Sequence, residues 1–176
     1  MSAPNLSMKT VRLRFVEESD AEFILSLRLN QKLNIYLSPV SPDVQKQVEW
    51  IRNYKNDEAR KQQFYFMIER LDGVRCGTVR VYDLTDDSFS WGSRILNEEK
   101  TRFAAIESAF LVYQFGFESL GYIQSHFEVK KGNAGVLRFH ERMGAQRVRE
   151  DDEFYYYTIT KADVEAKRAG LEGVIS

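Results

Sequence analysis

A loop that carries two cations, Asn97–Arg102, comes directly before a long amphipathic segment. Apolar residues recur at spacings of three and four from Phe103 to Leu120, which predicts a helix. The start of a helix has free backbone N–H groups and the positive end of the helix dipole, and Lys100 and Arg102 add charge beside them. These residues predict an anion site whose expected occupant is a pyrophosphate. In the alternative, the cations are merely solvated.

Strands are predicted on both sides of this helix. Ser88–Leu96 has the composition of a half-buried strand, and Gly92 in its middle indicates a bulge or a close backbone approach. Tyr122–Val129 is predicted as the next strand. Asn133 can then cap a short helix that Gly144 closes. A phosphate-binding helix is thus expected between two strands, with a second helix behind them.

This order of elements, with the segments Lys100–Ala105 and Asn133–Ala145, resembles the GNAT superfamily of acyl-CoA N-acyltransferases. In that family a strand leads into a loop of pattern Gln/Arg-x-x-Gly-x-Gly/Ala, which holds the CoA pyrophosphate at a helix N-terminus. The resemblance covers nearly the whole chain in element order. It implies a notch between the two strands and acetyl-CoA as co-substrate, with no metal. Lys100 and Phe103 depart from the loop pattern.

The resemblance also implies which residues contact coenzyme A. The pantetheine arm is expected to pair with the backbone of the first strand near its end, and a backbone N–H near Ile95 is expected to polarise the thioester carbonyl. The expected cofactor-binding residues are Arg94, Ile95, Leu96, Lys100, Thr101, Arg102, Phe103, Ala104, Ala105, Asn133, Val136, Phe139 and His140.

Acyl transfer from a thioester to an amine needs a proton for the leaving thiolate. His140 stands where many family members carry a tyrosine that supplies it, and an imidazole with a pKa near about 6.5 can be partly protonated at neutral pH. Tyr113 and Tyr122 are rivals, although each also fits the core. The alternative for His140 is a half-exposed helix residue without a role.

Removal of the amine proton needs a base. Many members carry a glutamate on the first strand, but Ser90 is its nearest equivalent here. His126 and Glu128, two apart on the next strand, project to one face. Glu128 could orient His126, or either could take the proton through water. In the alternative, His126 and Glu128 are ordinary residues of the strand surface and have neither role.

The acceptor amine is expected to enter past the first two helices, where Arg28, Asn34, Tyr36, Ser38 and Trp50 collect. We predict substrate contacts from Arg28, Tyr36, Trp50 and Ser90. The phrases Trp91–Ser93 and Ser125–Val129 resemble the branch that acetylates nucleotide-linked aminosugars for surface polysaccharides. The alternatives are a protein N-terminal acetyltransferase of the ribosomal-protein type and an acyl-CoA-binding module without catalysis.

The predicted fold class is α/β (α+β), a single GNAT-like domain with a mixed, mostly antiparallel twisted sheet flanked by helices. The expected order is β-α-α-β-β-β-α-β-α-β-β. We predict that the domain spans residues 1–170 and that residues 171–176 form a mobile tail.

Composition agrees with one domain. The 176 residues are 43% hydrophobic, without a run long enough to cross a membrane. A formal net charge of −1 argues against a nucleic-acid partner, and the start of the chain has no signal-peptide pattern. Cys76, the single cysteine, excludes an internal disulfide and is predicted to be buried. We therefore expect a cytoplasmic monomer or homodimer that acts on a small-molecule amine, with no membrane or nucleic-acid partner.

Overall fold

The computed structural model describes residues 4–35 and 39–175. Two strands, two helices and three strands are followed by a helix, a strand, a helix, two strands and a final helix. The strands are β1 (Leu6–Ser7), β2 (Val11–Phe15), β3 (Phe64–Arg70), β4 (Arg75–Tyr82), β5 (Ser88–Leu96), β6 (Gln124–Lys130), β7 (Gln146–Glu150) and β8 (Phe154–Thr160). The helices are α1 (Ala21–Leu29), α2 (Val44–Ala59), α3 (Ala104–Gln114), α4 (Ala134–Met143) and α5 (Lys161–Ile175).

In the described residues the strands form one sheet of order β1-β2-β3-β4-β5-β6-β8-β7. Neighbours are antiparallel except β5 and β6, which are parallel. A parallel pair needs a crossover connection, and α3 supplies it. The predicted mixed, mostly antiparallel sheet is confirmed.

Both faces of the sheet are covered around β3, whose residues alternate between two hydrophobic clusters. Phe64 and Phe66 belong to the cluster that includes α3, whereas Tyr65 and Met67 pack with α1 and α2. A strand buried on both faces reads as a nearly continuous apolar run, which is the pattern here. We call these the α3 face and the α2 face. No helix of the described residues is long and apolar enough to span a bilayer.

Several local predictions differ from the structure. The sequence Ser41-Pro42 predicts a cap followed by a proline at the start of the second helix, but the N-cap of α2 is Asp43, whose carboxylate accepts from the Gln45 N–H at 2.9 Å. Helix α3 is continued by a π-helical turn, Phe115–Ser119. Residues 171–175, predicted as a tail, are helical and continue α5. Cys76 is fully buried, as expected, and burial raises the pKa of its thiol to about 11.

Candidate active site

Strands β5 and β6 diverge after a short contact. They pair only at Ser88–Gln124 and Phe89–Ser125, so the later residues of both strands separate. We call the gap beside residues 90–96 and 126–130 the notch. It connects the α3 face of the sheet with the α2 face, and it is the opening that the family resemblance implied.

A bulge in β5 lies at the notch. The β4–β5 register shifts between Thr78 and Arg80, and Ser93 has a left-handed φ of 50°. The sequence predicted this irregularity at Gly92, one residue earlier. Gly92 itself has a close contact, since a Cβ there would lie 3.0 Å from the Tyr82 hydroxyl oxygen. The bulge redirects the strand where the substrate carbonyl would need a backbone donor.

The start of α3 has the features of an anion site. Its N-cap residue Phe103 makes no side-chain cap hydrogen bond, and Lys100 and Arg102 are exposed beside it. Phe103 has φ −106° and ψ 14°, a conformation that does not require glycine. Its ring packs against the core and lies 5.2 Å beneath the Arg102 guanidinium. The departure from the family's loop pattern therefore imposes no backbone strain at this position.

A buried carboxyl group fixes this loop to the β1–β2 turn. Glu107, in the first turn of α3, is completely buried and accepts from the backbone N–H of Thr10 at 2.8 Å and from its hydroxyl at 2.7 Å. The Thr10 hydroxyl also lies 2.8 Å from that of Thr101. The sequence analysis missed Glu107, although a glutamate within the apolar stripe of α3 was a visible signal.

Helix α4 brings His140 to the α3 side of the notch. The imidazole is 7% exposed, and its ring centre lies 5.3 Å from that of Trp91 and 4.2 Å from that of Phe127. Burial, followed by the charge of Arg94, lowers the pKa of His140 to about 3. The expectation of partial protonation at neutral pH is therefore wrong, because an aromatic enclosure disfavours the imidazolium. Its role as an acid stays a prediction.

Asn133 takes the N-cap position of α4, as predicted, but its side chain makes no cap hydrogen bond. The helix ends at Gly144 with a left-handed φ of 106°, as expected. The two tyrosine rivals for the acid differ in burial. Tyr113 is buried, which raises the pKa of its phenol, while Tyr122 is only partly buried and packs 5.8 Å from the Phe89 ring.

On the α2 face, His126 is held at both ring nitrogens. Its Nδ1 lies 2.5 Å from the Ser88 hydroxyl oxygen and its Nε2 lies 2.8 Å from the Asp83 carboxylate. A carboxylate only accepts, so in the neutral imidazole Nε2 carries the proton and Nδ1 accepts from the Ser88 hydroxyl. Asp83, not Glu128, makes the ion-pair contact with the imidazole. No pattern in the sequence pointed to Asp83, since it lies in the loop after β4.

A pocket of about 440 Å³ opens beside His126 on this face. Ser90 and Glu128 line it, as does Arg149, whose guanidinium lies 3.6 Å from the centre of the Tyr156 ring. Other lining residues are Tyr82, Asp83, Phe127, Val148, Tyr157 and Thr158. The structure therefore brings together the predicted residues Ser90, His126 and Glu128 and adds Arg149, which the sequence analysis missed.

Two other predicted acceptor residues, Arg28 and Trp50, do not line this pocket. Arg28 lies in the last turn of α1, and its carbonyl accepts from the Asn34 side chain at 2.9 Å. Trp50, on α2, stacks on Tyr54 with ring centres 5.7 Å apart. Tyr36, like Ser38, lies outside the described residues. The described residues contain no cluster of three or more side chains able to hold a metal ion.

Comparison with solved structures finds the same fold elsewhere. The apo form of FdhC, described as a nucleotide-linked sugar GNAT, is similar with a TM-score of 0.90 and 50% sequence identity, over 98% of this chain and 99% of that chain. A candidate ribosomal-protein-serine acetyltransferase from Vibrio cholerae has a TM-score of 0.74 at 16% identity, over 89% and 97%. A variant of the spermidine N-acetyltransferase SpeG from the same organism has 0.70 at 15%, over 88% and 95%. The last two show the fold alone.

The sequence also matches a family model. The model of the acetyltransferase (GNAT) domain matches residues 10–146, which include the notch, the α3 loop and α4. A search of curated proteins found no match. Because the family model covers well over half of the chain, the chain belongs to the GNAT family and is an acyl-CoA-dependent N-acetyltransferase.

Proposed function

We propose that this enzyme transfers the acetyl group of acetyl-CoA to the primary amine of a nucleotide-linked aminosugar, of the kind used in surface polysaccharides. The observation that carries the proposal is the 50% identity to FdhC across nearly the whole of both chains. At 50% identity, the residues that line the pocket can be compared between the two chains, as well as the fold. The similarity to the ribosomal-protein type, at 16% sequence identity, is not evidence for any particular acceptor.

The α3 side of the notch fits acetyl-CoA. The uncapped start of α3 offers backbone N–H donors, and Lys100 and Arg102 would hold the pyrophosphate. The separated edge of β5 offers its backbone from Arg94 to Leu96 to the pantetheine arm. The unbonded Asn133 side chain stands at the start of α4. When bound, acetyl-CoA supplies the activated acyl group.

The pocket on the α2 face fits a nucleotide-linked sugar. The Arg149 guanidinium can pair with a phosphate while Tyr156 supports it from below. Tyr82 and Tyr156 offer aromatic surface for a sugar or base, and Ser90 offers a hydroxyl nearer the notch. A phosphate-bearing acceptor suits this combination better than the N-terminus of a peptide chain, which carries no phosphate for Arg149 to pair with.

Transfer needs the amine in its neutral form, and His126 is the group that we assign to take its proton. The lone pair of Nδ1 faces the Ser88 hydroxyl, so a proton can reach the imidazole through that hydroxyl or a water beside it. The resulting imidazolium would be stabilised by Asp83 at Nε2. Glu128, exposed at the pocket wall, stays the alternative base.

The acceptor proposal is tested by thiol release from acetyl-CoA with a panel of amines. We expect a nucleotide-linked aminosugar to give a higher kcat/KM than the free aminosugar, a polyamine or peptides beginning with Ser or Ala. Faster reaction of a peptide would replace the aminosugar by the ribosomal-protein type of acceptor. Binding of acetyl-CoA without turnover of any amine would instead favour the acyl-CoA-binding module.

We also propose a cytoplasmic location, because the single cysteine is buried and reduced, which suits a reducing compartment. A monomer or homodimer without nucleic-acid or membrane partners stays a prediction, as does the absence of a metal requirement.

A further inference from the structure

The side chain of Arg94 occupies the α3 side of the notch. Its guanidinium carbon lies 5.4 Å from the centre of the Trp91 ring and 4.6 Å from that of Phe139. Nη1 donates to the carbonyl oxygen of Ala105 and lies 3.2 Å from the Ser108 hydroxyl oxygen. The group therefore bridges β5, the start of α3 and α4, where the thioester of a bound acyl-CoA must pass to reach the other face.

No carboxylate neutralises this cation within the described part of the chain. Arg94 forms no ion pair there, and its hydrogen bonds go to two neutral oxygens. Burial lowers the pKa of Arg94 to about 10, so the group remains a cation at neutral pH. A charge between two aromatic rings has lost much of its hydration, so an anion arriving beside it is strongly favoured.

The groups around Arg94 cannot donate a proton readily. His140 on α4 is neutral at physiological pH, and burial raises the pKa of the Tyr113 phenol on α3. Trp91 and Phe139 do not titrate. A thiolate that leaves at this place would therefore meet a fixed cation before it met an acid.

We propose that Arg94 stabilises the coenzyme A thiolate as it leaves, in place of the family's tyrosine acid. This inference rests on the proposed acyl transfer. The amine nitrogen forms a bond to the acyl carbon, the carbon–sulfur bond breaks, and its electron pair goes to sulfur. The amine proton leaves towards the α2 face, and the thiolate pairs with the guanidinium until solvent protonates it.

Binding of free coenzyme A tests the proposal without any acceptor. A thiolate site binds coenzyme A more tightly as pH rises through the pKa of the bound thiol, and the gain ends above the pKa of the free thiol, near about 8.5. Desulfo-CoA, which lacks the thiol, serves as the matched ligand. His140 and Tyr113 do not titrate in this window, so the difference between the two ligands reports the thiol.

We expect calorimetry on the wild type to show coenzyme A gaining about tenfold over desulfo-CoA between about pH 7 and about pH 9, which corresponds to about one unit of pKa. The gain should disappear in Arg94→Met and largely remain in Arg94→Lys. Arg102→Met, on the pyrophosphate loop, should weaken both ligands equally at each pH.

Equal pH profiles for the two ligands in the wild type would overturn the proposal, as would a gain that persists in Arg94→Met. Thermal unfolding identifies a variant that fails to fold, and Arg94→Gln then replaces Arg94→Met. A change of preference between acetyl-CoA and succinyl-CoA, with the thiol gain intact, would assign Arg94 to the acyl group instead. Because no acceptor is present, failure of the aminosugar proposal leaves this test unaffected.

Discussion

At the scale of residues, the proposed mechanism divides the charge that develops during the reaction between the two faces of the sheet. Arg94 lies on the side where a thiolate would form, and the pair of Asp83 and His126 lies on the side where a proton would be released. Each group is held by hydrogen bonds before any substrate binds. Preorganised charges of this kind act without rearrangement during the reaction.

We predict that Asp83→Asn lowers kcat about tenfold or more and leaves the affinity for acetyl-CoA within a few fold. The amide can still accept from Nε2 but cannot stabilise an imidazolium, so the loss should fall on proton transfer. Asp83→Glu, which keeps the carboxylate, should recover part of the rate.

The matched control is Asp87→Asn. Asp87 lies in the same β4–β5 loop as Asp83 and accepts from the Gln124 side chain at 3.2 Å, but it does not line the pocket. Steady-state kinetics that show equal losses for both variants would assign Asp83 a merely structural role.

The role and environment of a single residue could be predicted only where the groups around it are close to it in the sequence. His126 was identified from a strand periodicity, and its position at the pocket is as expected. His140 was placed on the right helix, but its protonation depends on rings from β5 and β6, which no local pattern shows. Asp83 and Arg149 reach the site from a loop and an edge strand, so only the folded sheet brings them together.

At the scale of elements, the position of α3 determines where a pyrophosphate could bind. The helix starts at Ala104, and the buried Glu107 ties its first turn to Thr10 at the β1–β2 turn. The carboxyl group accepts two hydrogen bonds in a fully buried position. Loss of such buried bonds costs more than loss of exposed ones.

We predict that Glu107→Gln destabilises the fold by about 1–3 kcal/mol, because one of the two carboxylate acceptors becomes an N–H donor and the hydrogen bonds from the Thr10 N–H and hydroxyl cannot both be kept. Because the loop that we propose to hold the phosphates is tied to the first turn of α3, the Kd for coenzyme A should also rise several-fold. Denaturant unfolding and calorimetry measure the two effects. Glu98→Gln, an exposed change in the same loop, should alter neither, and a loss of stability without a change in Kd would separate Glu107 from coenzyme A binding.

Most elements could be predicted because their signals are local. The sequence predicts Phe64–Arg70 and Arg75–Tyr82 as strands joined by the turn signal Asp72-Gly73, and β3 and β4 have these bounds, with Gly73 in the turn at φ 91°. The two-residue strand β1 was missed, since pairing with β2 and not its own sequence makes it a strand. The bulge fell at Ser93 instead of Gly92 because register across β4 decides its place.

At the scale of the molecule, the sheet lies between the region that we propose for the donor and the region that we propose for the acceptor. Helices α3 and α4 flank the notch on the proposed donor side, and the pocket with His126 and Arg149 opens on the other. In the proposed function, donor and acceptor bind from opposite faces and meet where β5 and β6 diverge. The sheet order needed for it follows from the crossover through α3, which the family resemblance implied but periodicity alone could not establish.

On the acceptor side, two arginines could hold a phosphate, and the two possibilities predict different effects of substitution on KM. Arg149 lines the pocket against Tyr156, whereas Arg28 lies on α1 and does not line it. We predict that Arg149→Ala raises the KM for a nucleotide-linked aminosugar about tenfold or more, as expected for loss of a charge-assisted pair, and leaves the KM for acetyl-CoA unchanged. The free aminosugar, which has no phosphate, should lose little in the same variant. If Arg28→Ala produces the larger rise, the phosphates lie beside α1, as the sequence first suggested, and the pocket holds only the sugar.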